Sequence, residues 1–182
     1  MFAGSPLTAS TVRLTCIADI TEAFDAKVNE LGLRPAALLN FRLDPVRNWR
    51  IDKVTLMVHL ARGEAPQQLD VAVVRDRWSE KKPASRHRYA FLIHSVNPEP
   101  DGWLSVPLRQ PVVDDLLGGK VWGLALSGPL ATHLSSRESI TFAPYLLVEG
   151  RAPTPPHAEP AKPAAPAAPT PPVSVPVQKL RH

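Results

Sequence analysis

Asp52-Lys53-Val54-Thr55-Leu56-Met57-Val58-His59-Leu60-Ala61 carries an aliphatic residue at every second position from Val54 to Leu60. Val54, Leu56, Val58 and Leu60 fall on one side of an extended chain, with Lys53, Thr55, Met57 and His59 on the other. Strand side chains point to opposite faces with a period of two, so this stretch reads as a strand with one buried face. The pattern recurs outward. Residues 11–18 set Val12, Leu14, Cys16 and Ala18 against Arg13 and Thr15. Residues 37–43 set Leu39, Phe41 and Leu43 against Leu38, Asn40 and Arg42, and Leu69, Val71 and Val73 continue the series. One apolar face per strand is the mark of an antiparallel sheet.

Later runs, at 89–93, 103–108, 120–127 and 141–149, are more uniformly apolar. Turn residues separate them: Arg62-Gly63-Glu64, the stretch from Asn97 to Gly102, Gly118-Gly119 and Ser127-Gly128-Pro129. Strands spaced in this way predict an all-β fold, a jelly-roll-like antiparallel two-sheet β-sandwich over residues 10–150. A closed barrel is the competing arrangement. Residues 1–9 are expected to be a flexible N-terminus. Two short helices are predicted inside the domain. Asp19 and Glu22 have capping-box spacing, Phe24, Val28 and Leu31 follow at helical spacing, and Gly32 stands where a C-cap glycine would, which predicts a helix over residues 21–31. Pro111 and Gly118 bracket a second, of one or two turns, closing an end of the sandwich.

Beyond Gly150 the composition breaks. Residues 151–176 hold ten of the chain's 21 prolines, and seven more of these residues are alanine. Such a segment neither pairs as a strand nor buries a core, so it is expected to be a disordered, extended Pro/Ala-rich linker. At about 3.1 Å per residue it reaches roughly 80 Å. Val173, Val175 and Val177 alternate with Ser174 and Pro176, and Lys179-Leu180-Arg181-His182 is basic. This end reads either as a passive terminus or as a docking peptide, residues 177–182, that adds an edge strand or fills a groove on a larger assembly. Its docking candidates are Val173, Val175, Val177, Lys179, Leu180 and Arg181.

The chain has 182 residues, a net charge of +4 and a single cysteine, Cys16. One cysteine cannot form an internal disulfide. The charge falls short of the clustered basic stripe of a nucleic-acid binder, and the basic run at 75–88 is interrupted by Asp76, Glu80 and Pro83, so it reads as a solvated connection. With neither a signal-like start nor an apolar run long enough to span a bilayer, the expected location is the cytoplasm or a signal-independent assembly, with a cell-surface or secreted role as the alternative.

Several segments in order carry a resemblance. They are Ile51 to Leu56 followed by Leu69 to Val73 and Trp78-Ser79-Glu80, then Gly102-Trp103-Leu104-Ser105-Val106, Val112 to Gly119 and Gly123-Leu124-Ala125-Leu126, and lastly Ser135-Ser136-Arg137-Glu138 leading into Ala143 to Val148. Together they resemble DNRLRE-type domains, jelly-roll sandwiches similar to carbohydrate-binding modules of bacterial surface and secreted proteins. The resemblance implies a non-catalytic module and, in some members, binding of polysaccharides, including acidic ones.

Four tryptophans are candidates for stacking on sugars. Trp78, Trp103 and Trp122 read as core, because burying a large ring contributes a few kcal/mol. Trp49 is expected to be exposed, and with Arg47 and Arg50 it forms the candidate ligand site. Glycosidase chemistry needs two facing carboxylates, whereas Asp114 and Asp115 diverge by about 100° if helical. No cofactor is expected beyond a structural calcium, for which Asp44, Asn97 and Asp101 are the available oxygen donors. The histidines have no metal-ligand spacing, and no nucleophile-elbow or phosphate-loop motif is present. The sequence therefore reads as a non-catalytic binding or structural module, one component of an assembly docked through its tail, with a polysaccharide-binding module as the alternative.

Overall fold

The computed structural model describes residues 9–21, 29–80, 89–119 and 121–153. Among these, the chain forms β1 (Ser10–Thr21), β2 (Glu30–Gly32), β3 (Ala37–Phe41), β4 (Arg50–Arg62), β5 (Gln68–Val73), β6 (Leu92–Ser95), β7 (Asn97–Pro98) and β8 (Trp103–Pro107). One helix, α1 (Gln110–Leu117), precedes β9 (Leu124–Ser127), β10 (His133–Ser135) and β11 (Tyr145–Arg151). The alternating stretch at 52–61 is the middle of β4. Its inward residues Val54, Leu56 and Val58 are fully buried, while Met57 and His59 stand half-exposed on the other side.

Setting aside the short β2, β7 and β10, eight of the eleven strands make two antiparallel layers. The first sheet runs β1-β11-β4-β8 and the second β3-β9-β5-β6. Counted along the chain, these are strands 1-8-3-6 and 2-7-4-5, the interleaved order of a jelly roll. β1 belongs to both layers. Residues 10–15 pair with β11, the register slips between Cys16 and Ala18, and the remainder pairs with β3. That bulge bends the strand from one sheet to the other. Among the described residues, β6 ends one layer and β7, beyond β8, the other, so the arrangement is an open sandwich and not a closed barrel.

The inward residues of both sheets form one core, including Leu14, Leu39, Phe41, Leu56, Val71, Leu104, Leu126 and Leu146. α1 inserts Val112, Val113 and Leu116 into it and closes one end, as the bracketing Pro and Gly predicted. Pro111 sits in the first turn, where its missing N–H leaves no broken bond.

Two expectations change. Over residues 21–31, Thr21 is the last residue of β1, and Leu31 and Gly32 lie in β2; residues 22–28 are outside the described residues. The Thr21 hydroxyl donates to the Gly32 carbonyl and accepts the Gly32 N–H, each at 3.0 Å. This clamp and the ladder to β3 hold both ends extended, overriding the local capping signal. The segment after β5 is also more than a solvated connection. Trp78 packs, 7% exposed, on the outward side of the second sheet over Leu38, Ala72, Val74 and Ala125. Residues 81–88 and the predicted N-terminal segment, apart from Ala9, lie outside the described residues. So do most of the linker and the whole docking peptide, including Val173, Val175, Val177, Lys179, Leu180 and Arg181.

Candidate binding face

The predicted ligand site does not assemble. Arg47 and Arg50 are exposed, but the Trp49 ring turns inward and packs on the core. A single helical turn, Asp44–Val46, plugs the sandwich beside α1, and the Trp49 N–H donates to the Val46 carbonyl at 3.0 Å, which carries its ring into that plug. Arg47 only lines a shallow cleft of about 140 Å³ with Leu43 and Leu116. Trp122, expected in the core, is 41% exposed, with the Arg77 guanidinium 5.2 Å from its ring centroid. Its backbone is pinned instead: its N–H donates to Val74, and its carbonyl accepts the Trp78 indole N–H at 2.9 Å. Trp78 is core, as expected, whereas Trp103, also expected there, is half-buried on the outward side of the first sheet. The suggested calcium donors do not converge, since Asp44 precedes the start of β4 and Asp101 meets His59 near its far end, roughly 30 Å along the strand.

Functional side chains gather on the outward side of the first sheet. The pairing register places Trp103 beside His59, then Ser105, Met57, Tyr145 and Thr15 in one row, and Pro107, Thr55, Leu147 and Arg13 in the next. Lys53, Glu149 and Thr11 form a third row, in which Lys53 and Glu149 pair at 3.2 Å. Trp103 meets Tyr145 edge-on, with centroids 5.2 Å apart, and meets His59 at 5.5 Å. His59 stacks on Phe142 at 3.9 Å. The Arg13 guanidinium lies 3.8 Å above the Tyr145 ring. Arg13 is exposed, and no carboxylate among the described residues pairs with it. A cation held over an aromatic face, beside a second ring, is a surface suited to an anionic ligand with an apolar side.

His59 braces this face. Its Nε2 lies 3.0 Å from the Asp101 carbonyl, which can only accept, so Nε2 carries the proton. Nδ1 then accepts the Ser135 hydroxyl at 3.0 Å. The pair has Ser–His geometry, but Ser135 is buried and paired within β10, out of reach of a substrate. Sequence reasoning missed this cluster because His59, Trp103 and the Phe142–Tyr145 segment are far apart along the chain. The legible signal was the outward parity of His59 and Met57 on β4.

A second polar cluster sits at the β1 bulge. Asp19, Glu80 and Glu138 bring carboxylate oxygens within 4.8 Å of one another, an arrangement that resembles a metal shell. Arg137 already supplies the cation. Its guanidinium meets Glu80 at 2.7 Å and Glu138 at 3.3 Å, its backbone N–H donates to Asp19 at 2.6 Å, and its Nη1 donates to the Ile17 carbonyl at 3.1 Å. Burial pushes the Asp19 carboxyl up to about 6, against the Arg137 N–H that favours the charged form. Burial, with the Asp19 charge, drives the Cys16 thiol up to about 12, so it is inert. Burial opposes ionisation of Glu138 too, but the Ser136 hydroxyl and Arg137 outweigh it and hold that pKa below the ordinary value. The cluster is a clamp that ties the Trp78–Glu80 segment to β1.

Asp114 and Asp115 diverge, as helix geometry requires. Asp114 accepts from Gln110 at 2.6 Å and Asp115 pairs with Arg75 at 2.7 Å. No helix among the described residues is long and apolar enough to cross a membrane. Comparison of the chain with family models and with curated proteins gives no match.

Proposed function

We propose that this chain is a non-catalytic binding module, a jelly-roll body whose first sheet presents a ligand face while the C-terminal segment ties it into a larger assembly. The observation that carries the reading is the Arg13–Tyr145–Trp103 group, a guanidinium with no ion pair among the described residues, stacked on one ring and bordered by another. Such a group recognises a sugar chain bearing carboxylates: the rings cover the apolar C–H face and the guanidinium takes the acid. The ligand class is therefore an acidic polysaccharide. The exposed Thr15, beside Tyr145 in the same row, adds a hydroxyl suited to an extended polymer lying across the strands.

The tether reading is supported by the composition of residues 151–176 and by where β11 delivers the chain. Tyr145 opens β11 and Arg151 closes it, so the strand ends roughly 20 Å from the ring cluster. A polysaccharide array tests the binding reading. The chain is expected to be retained more strongly on polyuronates than on neutral glucans, and Trp103→Ala is expected to abolish the retention on polyuronates. Equal retention of Trp103→Ala would overturn the assignment of the face.

A further inference from the structure

A second concavity lies apart from that face. A cavity of about 350 Å³ opens between the first turns of α1 and the chain entering and leaving the edge of the second sheet. Val73, Leu92, Pro111 and Val112 give it apolar walls, Tyr89 contributes a ring, and Arg75 and Asp115 close one side as an ion pair at 2.7 Å. Ligand pockets span roughly 300–1,000 Å³, so this one takes a single ring and not a chain.

Its polar groups select the chemistry. A carboxylate has about four acceptor positions and a guanidinium five N–H donors, so the Arg75–Asp115 pair still presents an acceptor next to a donor. Neighbouring hydroxyls on a ring, each able to donate and accept, match that pair without breaking it. An anionic ligand would compete with Asp115 for Arg75, and an ammonium group would compete with Arg75 for Asp115. A ring with hydroxyls on its edge and C–H groups on its face also suits Tyr89, Pro111 and Val112.

We infer that the cavity between α1 and the Arg75 and Tyr89 segments binds one neutral sugar residue, the end of a glycan chain. This deepens the binding-module reading and rests on it, but it uses a different surface from the Trp103 face. The test is amide NMR of the full chain titrated with the methyl glycosides of glucose, galactose and mannose, with glucuronate as the charged arm. At least one neutral glycoside is expected to give saturable shifts at Ala90, Val112 and Asp115. Asp115→Ala should weaken that binding about tenfold, the loss of one good hydrogen bond. Ala90 is exposed at the cavity, so Ala90→Trp should fill it without touching the core and abolish the shifts. Absence of any shift with the neutral glycosides, shifts with glucuronate alone, or shifts that survive Ala90→Trp would each overturn the inference. Polyuronate retention by the same preparation separates the two sites. Retention without cavity shifts sinks only this inference, and cavity shifts without retention sink only the assignment of the Trp103 face.

Discussion

Asp19 shows how a single residue sets a pH dependence. Its carboxyl is 6% exposed and titrates near 6, against an ordinary 3.8, chiefly because burial penalises its charge. Between those values the folded chain holds a proton that the unfolded chain has lost. Asp19 therefore lends stability at low pH that disappears as the pH rises through about 6. The gap corresponds to on the order of 2–3 kcal/mol. Asp19→Asn is expected to remove this term, so wild type should gain on the variant as the pH falls from 7 to 4.5, measured by urea unfolding at both values. Gly123 tests backbone fit at the same scale. Its φ is +133°, and an added Cβ would stand 2.1 Å from the Leu39 carbonyl oxygen. Gly123→Ala is expected to destabilise by roughly 2–4 kcal/mol in the same assay.

Among the elements, β4 was legible because its alternation is strict and one of its faces is the core. β1 was legible over residues 11–18, but its slip between Cys16 and Ala18 was not, since the bulge that moves it between sheets is a matter of pairing and leaves no mark on the residue pattern. The predicted helix over 21–31 failed at both ends for the same reason, because ladders to β3 and β10 outrank a capping box. The reversal of Trp49 and Trp122 also follows from tertiary contacts: the plug beside α1 takes one ring inward, and two backbone hydrogen bonds fix Trp122 with its ring outward. The Trp78 segment behaves as a covering element, buried on the second sheet and clamped at Glu80 by Arg137. Trp78→Ala is expected to cost about 3–5 kcal/mol and to raise binding of a hydrophobic dye, as Leu38 and Ala125 become uncovered.

At the scale of the whole molecule, the fold class was readable from the period of the sequence, but the proposed ligand face was not. Rings from β4, β8, β11 and the turn before β11 meet only once the strands take the 1-8-3-6 order, which pairing decides and local sequence does not. The proposed docking role of the tail belongs to this scale too. Deleting residues 173–182 is expected to abolish co-purification with the chain's assembly partners while leaving polyuronate binding intact, and unchanged co-purification would remove the docking role. The ligand face itself is tested most directly by affinity electrophoresis in native gels containing a polyuronate. Wild type should be retarded, and the Arg13→Ala/Trp103→Ala double variant should migrate as in a gel without polymer. Unretarded wild type, or a double variant retarded as strongly as wild type, would contradict the account.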